Sequence, residues 1–118
     1  MDKFRPETFL PLTPVAFEIL LALADGERHG YGILQEVEFR SGGAVSLHAG
    51  TLYRALARLL ESDLIDELSE SPDANADERR RYYRLTPSGI AVARAEAARL
   101  EGQVAAARAR RLLKGARV

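Results

Sequence analysis

Apolar residues recur along the chain at helical spacing in four stretches and alternate like a strand in another, with glycine and proline as the punctuation between them. Thr13-Pro14 sets a hydroxyl N-cap before a proline at the first helical position. The run 15–24 then puts Phe17, Leu20, Leu21 and Ala24 on one side of a first helix, which Asp25-Gly26 stops. After His29-Gly30 a second short helix over 31–40 carries Ile33, Leu34, Val37 and Phe39 and ends at Ser41-Gly42-Gly43. A third helix over 50–62 has Leu52, Leu56, Leu59 and Leu60 at i, i+4, i+7 and i+8, a single buried stripe. At about 100° per residue, Thr51, Arg54 and Arg58 fall together on the opposite face, with Tyr53 on the flank beside the stripe.

Beyond the third helix the period changes. Leu64 and Ile65 open one strand over 64–69, a polar stretch with Pro72 and Asn75 follows, and in 80–85 Tyr82 and Arg84 alternate with Tyr83 and Leu85. The pattern predicts a two-stranded hairpin whose loop, 71–78, is longer than a tight turn and mobile. One of the two adjacent tyrosines must face the core, which makes the pair structural. Thr86-Pro87 repeats the capping signature of Thr13-Pro14 and starts a long helix over 87–114. Along it Ile90, Ala93, Ala97, Leu100, Val104 and Ala107 alternate spacings of three and four, a heptad seam flanked by Arg94, Glu96, Arg99 and Glu101. A helix of that extent, about 40 Å, outruns the small domain before it, and pairing with a second copy is the simplest way to cover the seam. The fold class expected is therefore mainly α (α+β): a winged helix-turn-helix with an N-terminal arm over 1–86, then a C-terminal dimerisation helix over 87–118.

Composition narrows the function classes. A chain of 118 residues suits one domain and is short for an enzyme with its own enclosed cleft. It has no cysteine and two histidines, so a disulfide framework, a thiolate metal site and a cysteine nucleophile are excluded, and neither metal nor cofactor is expected. No nucleophile–base pair and no Gly-rich phosphate loop appears, so an enzyme is not expected. The opening MDKFRPETFL has no apolar core of signal-peptide length, and no later stretch approaches the roughly 20 apolar residues that cross a bilayer. A cytoplasmic protein without membrane attachment is expected.

Formal charge is zero, 17 basic against 17 acidic residues, which at first argues against nucleic acid. Distribution reverses that. Between residues 64 and 78 the acids Asp66, Glu67, Glu70, Asp73, Asp77 and Glu78 stand without a base, and Arg79, Arg80, Arg81 and Arg84 follow at once. After Glu101 only bases remain. The third helix contains no acid from Gly50 to Leu60, and its exposed face is basic and hydroxylic, as a helix entering the major groove requires. His48, just ahead of it, is either solvent-exposed or near phosphate. His29, beside Gly30, fits a turn better than a ligand set.

Four segments carry a resemblance to a known family. HGYGI at 29–33, GTLYRALARL at 50–59, RRRYYRLTPSG at 79–89 and LTP at 12–14 closely resemble the PadR family of bacterial regulators, over about residues 12–102. The resemblance implies a winged-helix domain, a C-terminal dimerisation helix and, usually, repression at palindromic promoter sites; the single C-terminal helix looks like the family's smaller subgroup. By that resemblance Tyr31, Thr51, Tyr53, Arg54 and Arg58 match recognition-unit positions, and Arg79, Arg80 and Arg81 match the wing. Tyr31 and Tyr53 also admit packing roles, under the third helix and at the core edge respectively. Some relatives bind flat aromatic effectors at the dimer interface, stacked on an aromatic residue of the long helix. Here that helix carries no aromatic residue after Tyr83, so no tight ligand of that kind is expected, and Phe4, Phe9, Phe17 and Phe39 are assigned to the core and the N-terminal arm. The functional expectation is a homodimer that binds double-stranded DNA sequence-specifically; the alternative is a winged-helix protein-interaction module without DNA binding.

Overall fold

Two of the helices start where their cap chemistry puts them. The Thr13 hydroxyl accepts from the Ala16 amide at 3.1 Å and the Thr86 hydroxyl from the Gly89 amide at 2.9 Å, each with proline at the first helical position. In the computed structural model, which describes residues 3–68 and 81–114, a 3-10 turn Pro6–Phe9 precedes helix α1 Pro14–Leu23. Strand β1 Arg28–His29, helices α2 Gly30–Arg40 and α3 Ala49–Glu61, strands β2 Ile65–Leu68 and β3 Tyr82–Leu85, and helix α4 Pro87–Ala109 follow. The mobile loop expected over 71–78 lies outside the described residues.

The centre of the molecule is α1, against which α2, α3, α4 and β3 all pack. Its buried residues are Ile19, Leu20, Ala22 and Leu23, whereas Phe17 and Leu21 are half-buried and Ala24 is exposed, so the one-sided stripe expected from spacing is corrected. A helix enclosed on several sides has no single apolar face to find. Ile33 and Val37 of α2, Leu52, Leu56 and Leu59 of α3, Leu64, Ile65, Tyr83 and Val92 complete the core. One phenylalanine departs from expectation, and another lies in the N-terminal arm. Phe39 is 85% exposed at the end of α2, and Phe4 is 47% exposed, its ring tilted 5.9 Å from that of Phe9, which does pack on the core.

The hairpin is the larger part of a three-stranded antiparallel sheet ordered β1-β3-β2, with Arg28 opposite Tyr83 and Ile65 opposite Leu85. A two-residue strand such as β1 is too short to leave a period in the sequence. Tyr83 faces the core at 4% exposure and Tyr82 is half-buried, as adjacent strand residues must divide.

Helix α4 is anchored at its start and free at its end. A Cβ on Gly89 would collide with the Leu64 carbonyl, so only glycine lets α4 approach the backbone just ahead of β2 this closely. One turn pair further on, the Glu96 carboxylate is buried: Oε2 accepts from the Leu12 amide at 3.1 Å, and both oxygens accept from Arg99, at 2.6 and 3.0 Å. Arg99 holds the Glu96 carboxyl below its ordinary value, outweighing the opposite effect of burial. The helix stops at Ala109 rather than running to 114, because Arg111 turns left-handed at φ 63° and the Leu112 amide bonds back to the Ala107 carbonyl at 2.9 Å. The Ala/Arg-rich sequence there shows no glycine or proline before Gly115 to announce the stop.

Candidate nucleic-acid interface

Burial of Leu52, Leu56 and Leu59 fixes which way α3 faces: the stripe goes inward, and Tyr53, Arg54 and Arg58 are exposed on the far side, with Thr51 half-buried. Among the described residues neither arginine has an ion-pair partner. The Arg54 guanidinium folds back over the first turn, its Nη1 3.5 Å from where a Cβ on Gly50 would stand. Thr51, Arg54 and Arg58 border a shallow depression whose other wall is Thr13 and Val15 at the start of α1. His48 is the N-cap residue of α3, exposed, and its side chain makes no capping bond. The first turn of α3 has no acidic residue, so its amide dipoles face outward uncompensated.

A second cluster surrounds the start of α2. His29, read from the sequence as a turn residue, is the N-cap of α2: its Nδ1 accepts from the Gly32 amide at 3.0 Å. That acceptance requires the tautomer or charge state with Nδ1 unprotonated. The imidazole lies parallel to the Tyr31 ring at 6.4 Å and meets Tyr82 edge-on at 5.2 Å. Tyr31 is 61% exposed, so it faces solvent rather than packing beneath α3. Tyr53 sits at the core edge and remains half open: its hydroxyl end lies against Gly30, where a Cβ would displace it. Nearby, burial and then Glu67 push the Tyr83 phenol up, so it stays neutral.

Of the wing arginines, Arg79 and Arg80 lie outside the described residues. Arg81 is exposed but engaged: its Nη1 donates to Glu67 Oε2 at 2.8 Å across the hairpin, and Arg84 reaches Asp66 at 3.7 Å. Solvent-exposed pairs of this kind contribute about 0–1 kcal/mol, little enough for a phosphate to replace Glu67. The six seam residues separate. Ala93 packs on the protomer's own core and Leu100 and Ala107 are half-buried, while Ile90, Ala97 and Val104 face outward.

Residues 19–95 match the model of the transcriptional regulator PadR-like family. The chain belongs to that family. The members of that family are transcriptional regulators. A 37.1 kDa protein encoded in transposon TN4556 of Streptomyces fradiae is 43% identical over 89 residues, 73% of this chain but 24% of its own length, so the chain spans about a quarter of that relative. A transcriptional regulator from Clostridium thermocellum superposes with a TM-score of 0.68 at 28% identity, over 78% of this chain and 84% of that one. Bacillus subtilis PadR, solved in complex with operator DNA, shares the fold at 23% identity with a TM-score of 0.59, over 70% of this chain and 46% of that one. Among the described residues no helix is long and apolar enough to cross a membrane, and no group of three or more His, Asp or Glu is placed to hold a metal.

Proposed function

We propose that this PadR-like chain is a sequence-specific DNA-binding regulator, acting in the cytoplasm as a homodimer on a palindromic site and repressing the promoter that contains it. The observation that carries this is α3: its apolar face is wholly committed to the core, and its opposite face presents Thr51, Arg54 and Arg58 with no acid and no ion pair among the described residues. In the major groove, Arg54 and Arg58 would read base edges, while Thr51, His48, Tyr31 and Tyr53 hold phosphate and set the register. Arg79, Arg80 and Arg81 would grip the backbone beside the wing. Residues 1–86 then form the DNA-binding unit and 87–118 the dimerisation unit, with Ile90, Ala93, Ala97, Leu100, Val104 and Ala107 as the seam. Support for DNA as the partner comes from the operator complex of the B. subtilis PadR that shares this fold.

The test is an unbiased selection of duplex sites by the purified protein, repeated at several salt concentrations. A palindromic consensus with half-sites about 34 Å apart is expected from a two-fold dimer. Failure to enrich any sequence at low salt would instead favour a winged helix that binds a protein partner.

A further inference from the structure

Arg58 borders two recesses. One is the depression on the DNA-facing side of α3 described above. The other is a groove of about 200 Å³ between the segment that follows the N-terminal turn and the C-terminal half of α3. The groove has an aliphatic floor made by Ala16, Ala55, Leu59 and Leu64. The exposed polar residues Thr13, Arg58 and Ser62 also line it. At roughly 30 Å³ per water-sized group it has room for about seven such groups, smaller than a drug-sized pocket. No acidic residue lines it, so the Arg58 guanidinium is uncompensated among the described residues.

We propose that this groove binds a short aliphatic monocarboxylate, with the chain laid along the alanine and leucine floor and the carboxylate paired bidentately to Arg58. The chemistry follows from the lining: it is mostly apolar, its polar side chains are the Thr13 and Ser62 hydroxyls and the Arg58 guanidinium, and a guanidinium matches a carboxylate better than any neutral head group. One guanidinium serves both recesses, so a carboxylate and a DNA base edge compete for it. Occupancy therefore weakens DNA binding through a residue at the interface, with no change of fold required. The competitive part rests on the DNA-binding function proposed above, whereas occupancy of the groove does not.

The probe is sodium hexanoate, titrated calorimetrically into the full chain without DNA, with hexanamide as the uncharged match. Saturable hexanoate binding with a Kd below about 1 mM is expected, at least tenfold tighter than hexanamide. Ala55→Leu, which fills the floor, should abolish binding; Arg58→Gln, a change at an exposed position, should remove the preference for hexanoate over hexanamide while leaving the melting profile intact. No saturable binding, equal affinity for the two probes, or unchanged hexanoate binding in folded Ala55→Leu overturns the proposal. On a selected DNA site, saturating hexanoate should weaken the wild-type protein several-fold but leave Arg58→Gln unaffected; a wild-type affinity indifferent to hexanoate overturns the competition. If the protein selects no DNA at all, the function proposed above fails and the calorimetry alone decides the groove.

Discussion

Glu96 lies among the charges of α4 and, unlike its neighbours Arg94 and Glu101, is withdrawn from water to 2% exposure. Its carboxylate joins the segment before α1 to α4 by accepting the Leu12 amide, a partner 84 residues away in sequence. Nothing in the sequence distinguishes it from a solvated flank charge, because its partner is a backbone group brought near only by the fold. Glu96→Ala leaves that amide and the Arg99 guanidinium without their acceptor and should cost about 2 kcal/mol in denaturant unfolding. The pH dependence has a definite sign. The folded-state value is lowered, so the carboxylate's contribution is complete above the ordinary 4.5 and is lost as pH falls through the lower folded value. The stability gap between wild type and Glu96→Gln should accordingly be constant at neutral pH and shrink in acid; a gap that widens in acid contradicts the assignment. At the interface, Arg54→Ala should lose about 1–3 kcal/mol at one base-pair position and relax preference there, measured by competition among single-substitution sites.

Elements were legible in proportion to how one-sided they are. Helix α3 has one wet and one dry face, so spacing alone located its stripe and its presenting residues; α1, covered from several sides, was found by its Thr-Pro cap but had its inner face misassigned. Strand β1 and the end of α4 left no periodic trace, and the uses of Gly30 and Gly89 depend on what lies opposite them. Gly89→Ala drives a methyl into the Leu64 carbonyl, a backbone atom that cannot swing aside, and should destabilise by about 3 kcal/mol or more in thermal or denaturant unfolding. Gly30 faces the mobile end of Tyr53 instead, so the same substitution there is the milder one. In the wing, Arg81 is paired with Glu67, which a phosphate would have to replace if Arg81 grips DNA as proposed. Arg81→Ala should weaken every DNA sequence alike and reduce the slope of log affinity against log salt by about one, and a loss confined to one sequence would reassign it to base reading.

For the molecule as a whole, the zero net charge conceals a division along the sequence: acids gathered in 66–78, an acid-free run from Gly50 to Leu60, and only bases after Glu101. The outward residues of α4 test the assembly more cleanly than those that also serve the protomer. Val104→Glu, at a position 37% exposed in the single chain, should leave the unfolding of the protomer unchanged and convert a dimer to monomers in sedimentation. An unchanged sedimentation profile would remove this face from the interface.

The anchoring of α4 also has a mechanical consequence. Its first three turns are bolted to the body at Gly89 against Leu64, at Thr86, whose hydroxyl donates to the Asp63 carbonyl at 2.7 Å, and at Glu96 on Leu12. Beyond Arg99 the remaining residues up to Ala109 are mostly exposed. The part beyond Arg99 is thus a cantilever about 15 Å long, and a tilt of about 5° where it leaves the body moves its tip by about 1 Å. In a pair joined along such arms, a disturbance at the bolts too small to alter either recognition helix would change the distance between the two, and hence which spacing of half-sites they can span together.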